Sequence, residues 1–158
     1  MKKTVTVTYH EFEHFNELPK QEIEMIQLAY KIAEDAYAPY SKFHVGAVAL
    51  LEDGTLVKGS NQENIAYPSG LCAERVALFF AGANYPNVAI EKLVVIAKGD
   101  LIKSDDCVSP CGSCRQVISE SERRQTIPMQ VILVSESGRT FVFDRGTDLL
   151  IFPFGIQE

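Results

Sequence analysis

Three cysteines constrain this chain more than any other residues. Cys72 stands where the helically patterned stretch "CAERVALFFAGA" begins, and Cys111 and Cys114 stand where "PCGSCRQVISESE" begins. The pair Cys111-Gly-Ser-Cys114 spans one helical turn, which lets two sulfurs point at a common centre. Cys72 supplies a third ligand only if the two helix N-termini face each other, so the fold has to bring those ends together. Three protein ligands leave zinc a fourth position for water, the arrangement of a catalytic site rather than a closed structural one. The positive ends of both helices also help to keep the thiols ionised.

Glu74 lies two residues beyond Cys72 and is not needed as a ligand. A carboxylate there can take a proton from a zinc-activated water and return it to a substrate. Three thiolates around Zn²⁺ leave a formal negative charge, which weakens the metal's pull on its water. Arg75, three residues after Cys72 on the same helical face, can donate to the sulfurs and offset that charge. A C-x-x-C taken alone reads equally as a redox pair or as half of a structural zinc knuckle. The redox reading lacks the usual strand-then-motif order with an aromatic before the first cysteine. The structural reading lacks a fourth ligand; Cys107, in a loop ahead of Cys111, could fill that place but reads rather as a buried thiol.

A second metal pattern is spelled near the N-terminus, where His10-Glu11-Phe12-Glu13-His14 matches the H-E-x-x-H of zinc proteases. That motif works only on a helix, where residues four apart share one face. Here "TVTVTYHEF" alternates with β-branched residues, which predicts a strand. On a strand His10 and His14 would lie about 13 Å apart, too far for one ion.

Length and composition set the frame. A chain of 158 residues suits one domain spanning 1–158, with 46% hydrophobic and 23% charged residues as in ordinary globular proteins. A net charge of −6 argues against holding a nucleic-acid backbone over a broad surface, and no apolar run is long enough to span a membrane. Met1-Lys2-Lys3 is followed by alternating threonines rather than an apolar signal region, so the expected location is the cytoplasm. In that reducing compartment the cysteines are expected as thiols, catalytic groups or metal ligands.

Along the chain, Ile23, Ile26, Ala29/Tyr30, Ala33 and Tyr37 recur at helical spacing until Pro39 ends the pattern. "FHVGAVALL" and "TLVKGSN" flank Glu52-Asp53-Gly54 and predict a hairpin. The helix after Cys72 is expected to bury Val76, Phe79 and Phe80. "EKLVVIAK" reads as a strand covered on both faces. "MQVILVS" and "TFVFD" flank Glu136-Ser137-Gly138 as a second hairpin, and "TDLLIF" predicts a short final helix. Helices inserted among hairpins and a buried strand predict an α/β fold with a mixed sheet between helices.

Cys-Ala-Glu followed by Pro-Cys-x-x-Cys is more specific than either half: it is the zinc-deaminase signature, with Cys72 in place of the common first histidine. The chain resembles the small, three-cysteine, homotetrameric cytidine deaminases at "YAPYSKFHVGA", "NQENIAYPSGLCAER" and "SPCGSCRQV", across about residues 37 to 120. The resemblance implies a three-layer α/β/α fold, with Cys72, Cys111 and Cys114 holding one Zn²⁺ per chain and Glu74 shuttling protons. It places Asn61 and Glu63 where the family binds the ribose hydroxyls and Phe43 where an aromatic packs on the pyrimidine. It also implies that the backbone N–H of Ala73 holds the base carbonyl. Water activated at the zinc would attack C4 of cytosine while Glu74 protonates N3 and then the leaving amine, giving uridine and ammonia. The plainer readings are a core residue for Phe43 and a cap on the turn after a strand for Asn61 and Glu63. His44, where family members often have proline, is assigned no role.

Two regions depart from the family pattern. Residues 1–18 form an extra N-terminal strand segment, expected to pair with a sheet edge or a neighbouring subunit. At the other end "LLIFPFGIQE" offers Phe152, Phe154 or Ile156 for the position where the family's phenylalanine closes the active site of an adjacent subunit. The expected assembly is a homotetramer with shared sites, acting on a small nucleoside. The competing readings are a zinc deaminase for another substrate, such as a nucleoside antibiotic, a free base or nucleic acid, and a non-catalytic zinc-binding module.

Overall fold

The computed structural model describes residues 1–155, and Ile156 lies outside them. Six strands form one sheet: β1 (His10–Phe12), β2 (His44–Leu51), β3 (Leu56–Ser60), β4 (Ile90–Lys98), β5 (Gln130–Val134) and β6 (Thr140–Phe143). Their order is β1-β6-β5-β4-β2-β3, and only the β4–β5 pair is parallel. Three α-helices flank the sheet: α1 (Lys20–Glu34), α2 (Ala73–Asn84) and α3 (Gly112–Arg123).

The period-two pleat of the central strands divides the interior into two halves. On β2, Val48 and Leu50 face α1 and pack with Met25, Ile26, Ala29 and Ala33. The alternate residues Ala47, Ala49 and Leu51 face the other way, towards Ala73, Ala77 and Ala81 of α2 and Ile118 of α3. Strand β4 divides likewise, with Val94 and Ile96 on one side and Leu93 and Val95 on the other. The result is the three-layer α/β/α arrangement with a mixed sheet, and both hairpins form as expected.

Strand direction explains why two helix N-termini meet. Both β3 and β4 run antiparallel to β2, which lies between them, so β3 and β4 point the same way. Helix α2 follows β3 and α3 follows β4, and both cover the same face. They therefore begin at the same end of the sheet. Glycines set how closely the helices lie on it. A Cβ at Gly59 of β3 would run into the Ala73 carbonyl oxygen and come within 2.7 Å of the Ala77 nitrogen. On the opposite face a Cβ at Gly46 would meet the Ala29 carbonyl of α1.

Four expectations are corrected. The face of α2 carrying Val76, Phe79 and Phe80 is not the buried one; Ala73, Glu74, Ala77, Leu78 and Ala81 are buried, and Phe79 and Phe80 are 50% and 52% exposed. The close approach at Gly59 admits alanines and excludes phenylalanine rings. The first helix ends at Glu34, short of Tyr37, whose backbone instead exchanges hydrogen bonds with the Asn61 carbonyl (3.0 Å) and the Glu63 N–H (2.8 Å).

The N-terminal strand shrinks to His10–Phe12, paired antiparallel with β6 at the sheet edge. Its partner has only four residues, so the alternating threonines before it have no ladder to join. The chain then turns: His14 caps a 3-10 turn over Phe15–Glu17, its Nδ1 accepting from the Asn16 N–H at 3.1 Å, while the Glu17 carboxylate accepts from the His14 N–H at 2.9 Å. The final helix is a 3-10 turn, Gly146–Leu149.

Candidate metal centre and substrate cleft

Each ligand candidate sits at a helix start. Cys72 is the N-cap of α2 and Cys111 the N-cap of α3, while Cys114 stands at the third position of α3. An N-cap side chain and one three residues on lie over the same first turn, the geometry a capping box uses. Here two sulfurs occupy it. The Cys72 and Cys111 sulfurs are 3.9 Å apart and those of Cys111 and Cys114 are 3.5 Å apart, with all three within 4.8 Å of one another. Tetrahedral zinc with Zn–S bonds near 2.3 Å requires sulfur separations of about 3.8 Å, so the cluster fits the ion. It is the only such group among the described residues, which leaves out both His10 and His14. Cys107 also stands apart from it, packed against the core, and burial pushes its thiol up to about 11.

The cluster is graded in exposure: Cys114 is buried, Cys72 half-buried and Cys111 exposed. Protons are shared unevenly across it. Cys72 is pulled down to about 5, first because Cys114 donates to it and then through Arg75, whose Nη2 lies 3.7 Å from its sulfur. Cys114, as the donor in that pair, is pushed far up. One thiolate is thus held by a neighbouring thiol and a guanidinium, an arrangement a divalent cation replaces by ionising the remaining thiols. Glu74, at the second position of α2, is buried beside this charge. Burial foremost, and the Cys72 thiolate next among the opposing charges, push its carboxyl above the usual range.

Cys72 and Arg75 also line a cleft of about 550 Å³, together with Tyr40, Asn61, Glu63 and Tyr67. The structure therefore brings Asn61 and Glu63 to the same cavity as a metal-ligand candidate. Both also have structural work. The Asn61 amide donates to the Phe43 carbonyl at 2.8 Å and accepts from the Val45 N–H at 2.8 Å, which leaves one N–H and one lone pair for a ligand. The Glu63 carboxylate accepts from the Tyr40 N–H at 2.9 Å and from the Ser41 hydroxyl, and the latter bond holds its carboxyl below the ordinary value. Phe43 is half-buried against the core, its N–H bonded to Ser41 Oγ. Ala73 is buried at the first position of α2, where a backbone N–H has no partner within the helix.

The family model for the cytidine and deoxycytidylate deaminase zinc-binding region matches residues 19–130, well over half of the chain. The chain belongs to this deaminase family. Curated relatives agree. A cytidine deaminase of Sporosarcina psychrophila is 47% identical over 96 residues, which cover 61% of this chain and 66% of that protein. One from Halalkalibacterium halodurans is 41% identical over 96 residues, covering 61% and 68%. The aligned part of the chain thus spans about two thirds of the length of these relatives. The crystal structure of cytidine deaminase from Burkholderia pseudomallei superposes with a TM-score of 0.72 at 33% identity, over 87% of this chain and all of that one. The Mycobacterium tuberculosis structure superposes with a TM-score of 0.62 at 30% identity, over 88% of this chain. Zinc is the metal the family's zinc-binding region takes, and the three sulfurs have the spacing for it. No described helix is long and apolar enough to cross a membrane.

The motif residues were legible in the sequence. Arg115 and Ser41 were not, because their interest lies in the backbone and carboxylate groups they hold rather than in any motif.

Proposed function

We propose that the protein hydrolyses cytidine and deoxycytidine to uridine and deoxyuridine with release of ammonia, a step of pyrimidine salvage in the cytoplasm. The observation that carries this reading is the buried Glu74 carboxyl close to three clustered cysteine sulfurs, one of which, Cys72, lines a cleft together with Asn61 and Glu63. Zinc held by Cys72, Cys111 and Cys114 supplies a Lewis-acid position at which water becomes nucleophilic near neutral pH. Glu74 would accept a proton from the attacking water and deliver it to N3 of the cytosine ring, then take the remaining hydroxyl proton at C4 and pass it to the amine as that leaves. Its raised affinity for protons suits a group that must both take and return one. Arg75 offsets the negative charge of the thiolates. The free N–H and lone pair of Asn61, with the Glu63 carboxylate, take the sugar hydroxyls; Phe43 packs on the base and the Ala73 N–H holds its carbonyl.

The shared six-stranded sheet supports reading residues 1–158 as a single domain. The assembly proposed is a homotetramer with shared sites. Phe79 and Phe80 on the outer face of α2, and Phe152 and Phe154 at 89% and 87% exposure, support it as apolar surface available to neighbouring subunits. The third candidate for that role, Ile156, lies outside the described residues. Light scattering is expected to give a tetramer, and a fully active monomer would remove the shared-site claim.

Ammonia release by the purified protein, supplied separately with cytidine, deoxycytidine, cytosine and adenosine, tests the activity. Turnover of the first two alone is expected. Glu74→Ala should lower that turnover by about 10²- to 10⁴-fold while retaining about one zinc per chain. Turnover of none with zinc bound would favour another deaminase substrate or a non-catalytic zinc module.

A further inference from the structure

Cys111 is the exposed member of the sulfur cluster, so side-chain packing does little to fix it. Its position is set by the backbone of the loop that enters α3. Val108 and Pro110 bury the inner side of that loop, and its side-chain hydrogen bonds come from one residue. Arg115 Nε donates to the Pro110 carbonyl at 2.8 Å, its Nη2 to Ser109 Oγ at 2.6 Å, and its Nη1 to the Leu149 carbonyl at 3.2 Å. Pro110 and Ser109 immediately precede Cys111, and Arg115 is one helical turn after it.

The far end of this clasp is itself anchored. Leu149 closes the 3-10 turn Gly146–Leu149 and is buried. The buried Glu122 of α3 accepts from the Thr147 hydroxyl at 2.8 Å and from the Gly146 N–H. Nearer the start of α3, the Gln116 amide pairs both ways with the Phe154 backbone, at 2.8 and 3.1 Å. The C-terminal segment is thus tied to α3 by three side chains, of which Arg115 is the nearest in sequence to Cys114.

We propose that Arg115 is a positioning residue for the metal centre, holding the Ser109–Cys111 turn against the C-terminal segment so that the Cys111 sulfur stays in place for zinc. This rests on the reading that the three cysteines bind the metal. The guanidinium is suited to the role because its planar fork presents several N–H groups in fixed directions. A lysine keeps the charge but is a single flexible point, unable to bridge three acceptors lying in different directions. Charge and geometry can therefore be separated.

The test is zinc transfer to a chromogenic chelator from the wild-type protein, Arg115→Lys and Arg115→Gln, with the absorption spectrum of the Co²⁺-substituted forms. Both variants are expected to release zinc about tenfold faster than wild type, within the range for residues that orient metal ligands, and to show altered Co²⁺–thiolate bands. Wild-type behaviour of Arg115→Lys would overturn the proposal, because charge alone would then suffice. Unchanged release and spectra in both variants would overturn it too. Should Arg115→Gln fail to fold by circular dichroism, Ser109→Ala is decisive: it removes one arm of the clasp at an exposed site, and release faster by about threefold is expected. Wild-type release from Ser109→Ala would count against the clasp. A wild-type protein that binds no zinc would instead overturn the underlying metal-site reading.

Discussion

His10 and His14 lie four residues apart and sit on different elements, one in an edge strand and one capping a turn. Cys72 and Cys111 lie 39 residues apart, and their sulfurs are 3.9 Å from each other. The two regions both spell metal-binding patterns, and closeness in sequence runs opposite to closeness in space. The difference lies in what converts spacing into geometry. An H-E-x-x-H needs its own helix, and the alternating residues around His10 belong instead to a strand that turns at Glu13. The cysteines need two helices that start together, which follows from β3 and β4 running the same way on either side of β2.

The sharpest way to break the comparison is to delete each set of side chains. Cys114→Ala is expected to take zinc from one per chain to none and turnover to background. The double variant His10→Ala/His14→Ala should keep one zinc per chain by elemental analysis. Loss of zinc in the histidine variant alone would reverse the assignment.

Acid titration sharpens the comparison next. In the metal-free protein Cys114 keeps its proton at neutral pH because its thiol is pushed up, while Cys72, near 5, is already ionised. Zinc uptake must displace the Cys114 proton, so affinity should fall by at least about tenfold for each unit of pH lost, starting above neutrality. A histidine site would weaken only as pH falls through about 6.5. Competition titrations between about pH 8 and about pH 6 distinguish the two slopes.

The smaller effects probe what the histidines do contribute. His14 accepts a capping bond and its ring packs beside Gly138 and, at 4.3 Å between centroids, Phe15. His14→Ala should cost about 1 kcal/mol in urea unfolding with zinc content unchanged. His10 meets Asp144 at 3.6 Å on the surface, and His10→Ala should shift stability by less than about 0.5 kcal/mol in the same assay. A larger loss for His10 than for His14 would show that the edge strand, rather than the cap, holds this segment.

Alternation, helical spacing and turn residues made both hairpins, the buried strand β4 and the starts of α2 and α3 legible, because each depends on neighbours within a few positions. The same local rules misjudged α2. Val76, Phe79 and Phe80 are its larger apolar residues, yet the sheet approaches so closely at Gly59 that only the alanine face fits beneath. They also overextended β1, because a strand needs a partner and β6 offers four residues. The same limit applies to Asn61, whose amide is half engaged by Phe43 and Val45 across the hairpin.

The chemistry of the centre was the sequence's own to determine: three thiols and a carboxyl at two helix starts follow from residue identity and local periodicity alone. Tertiary structure decided the rest. Parallel direction of β3 and β4 brought the helix starts together, and the fit at Gly59 chose the buried face of α2. Arg115 found its three acceptors only once the C-terminal segment had returned to α3. Each of these depends on contacts between distant residues, where distance and shape, rather than residue type, select the outcome.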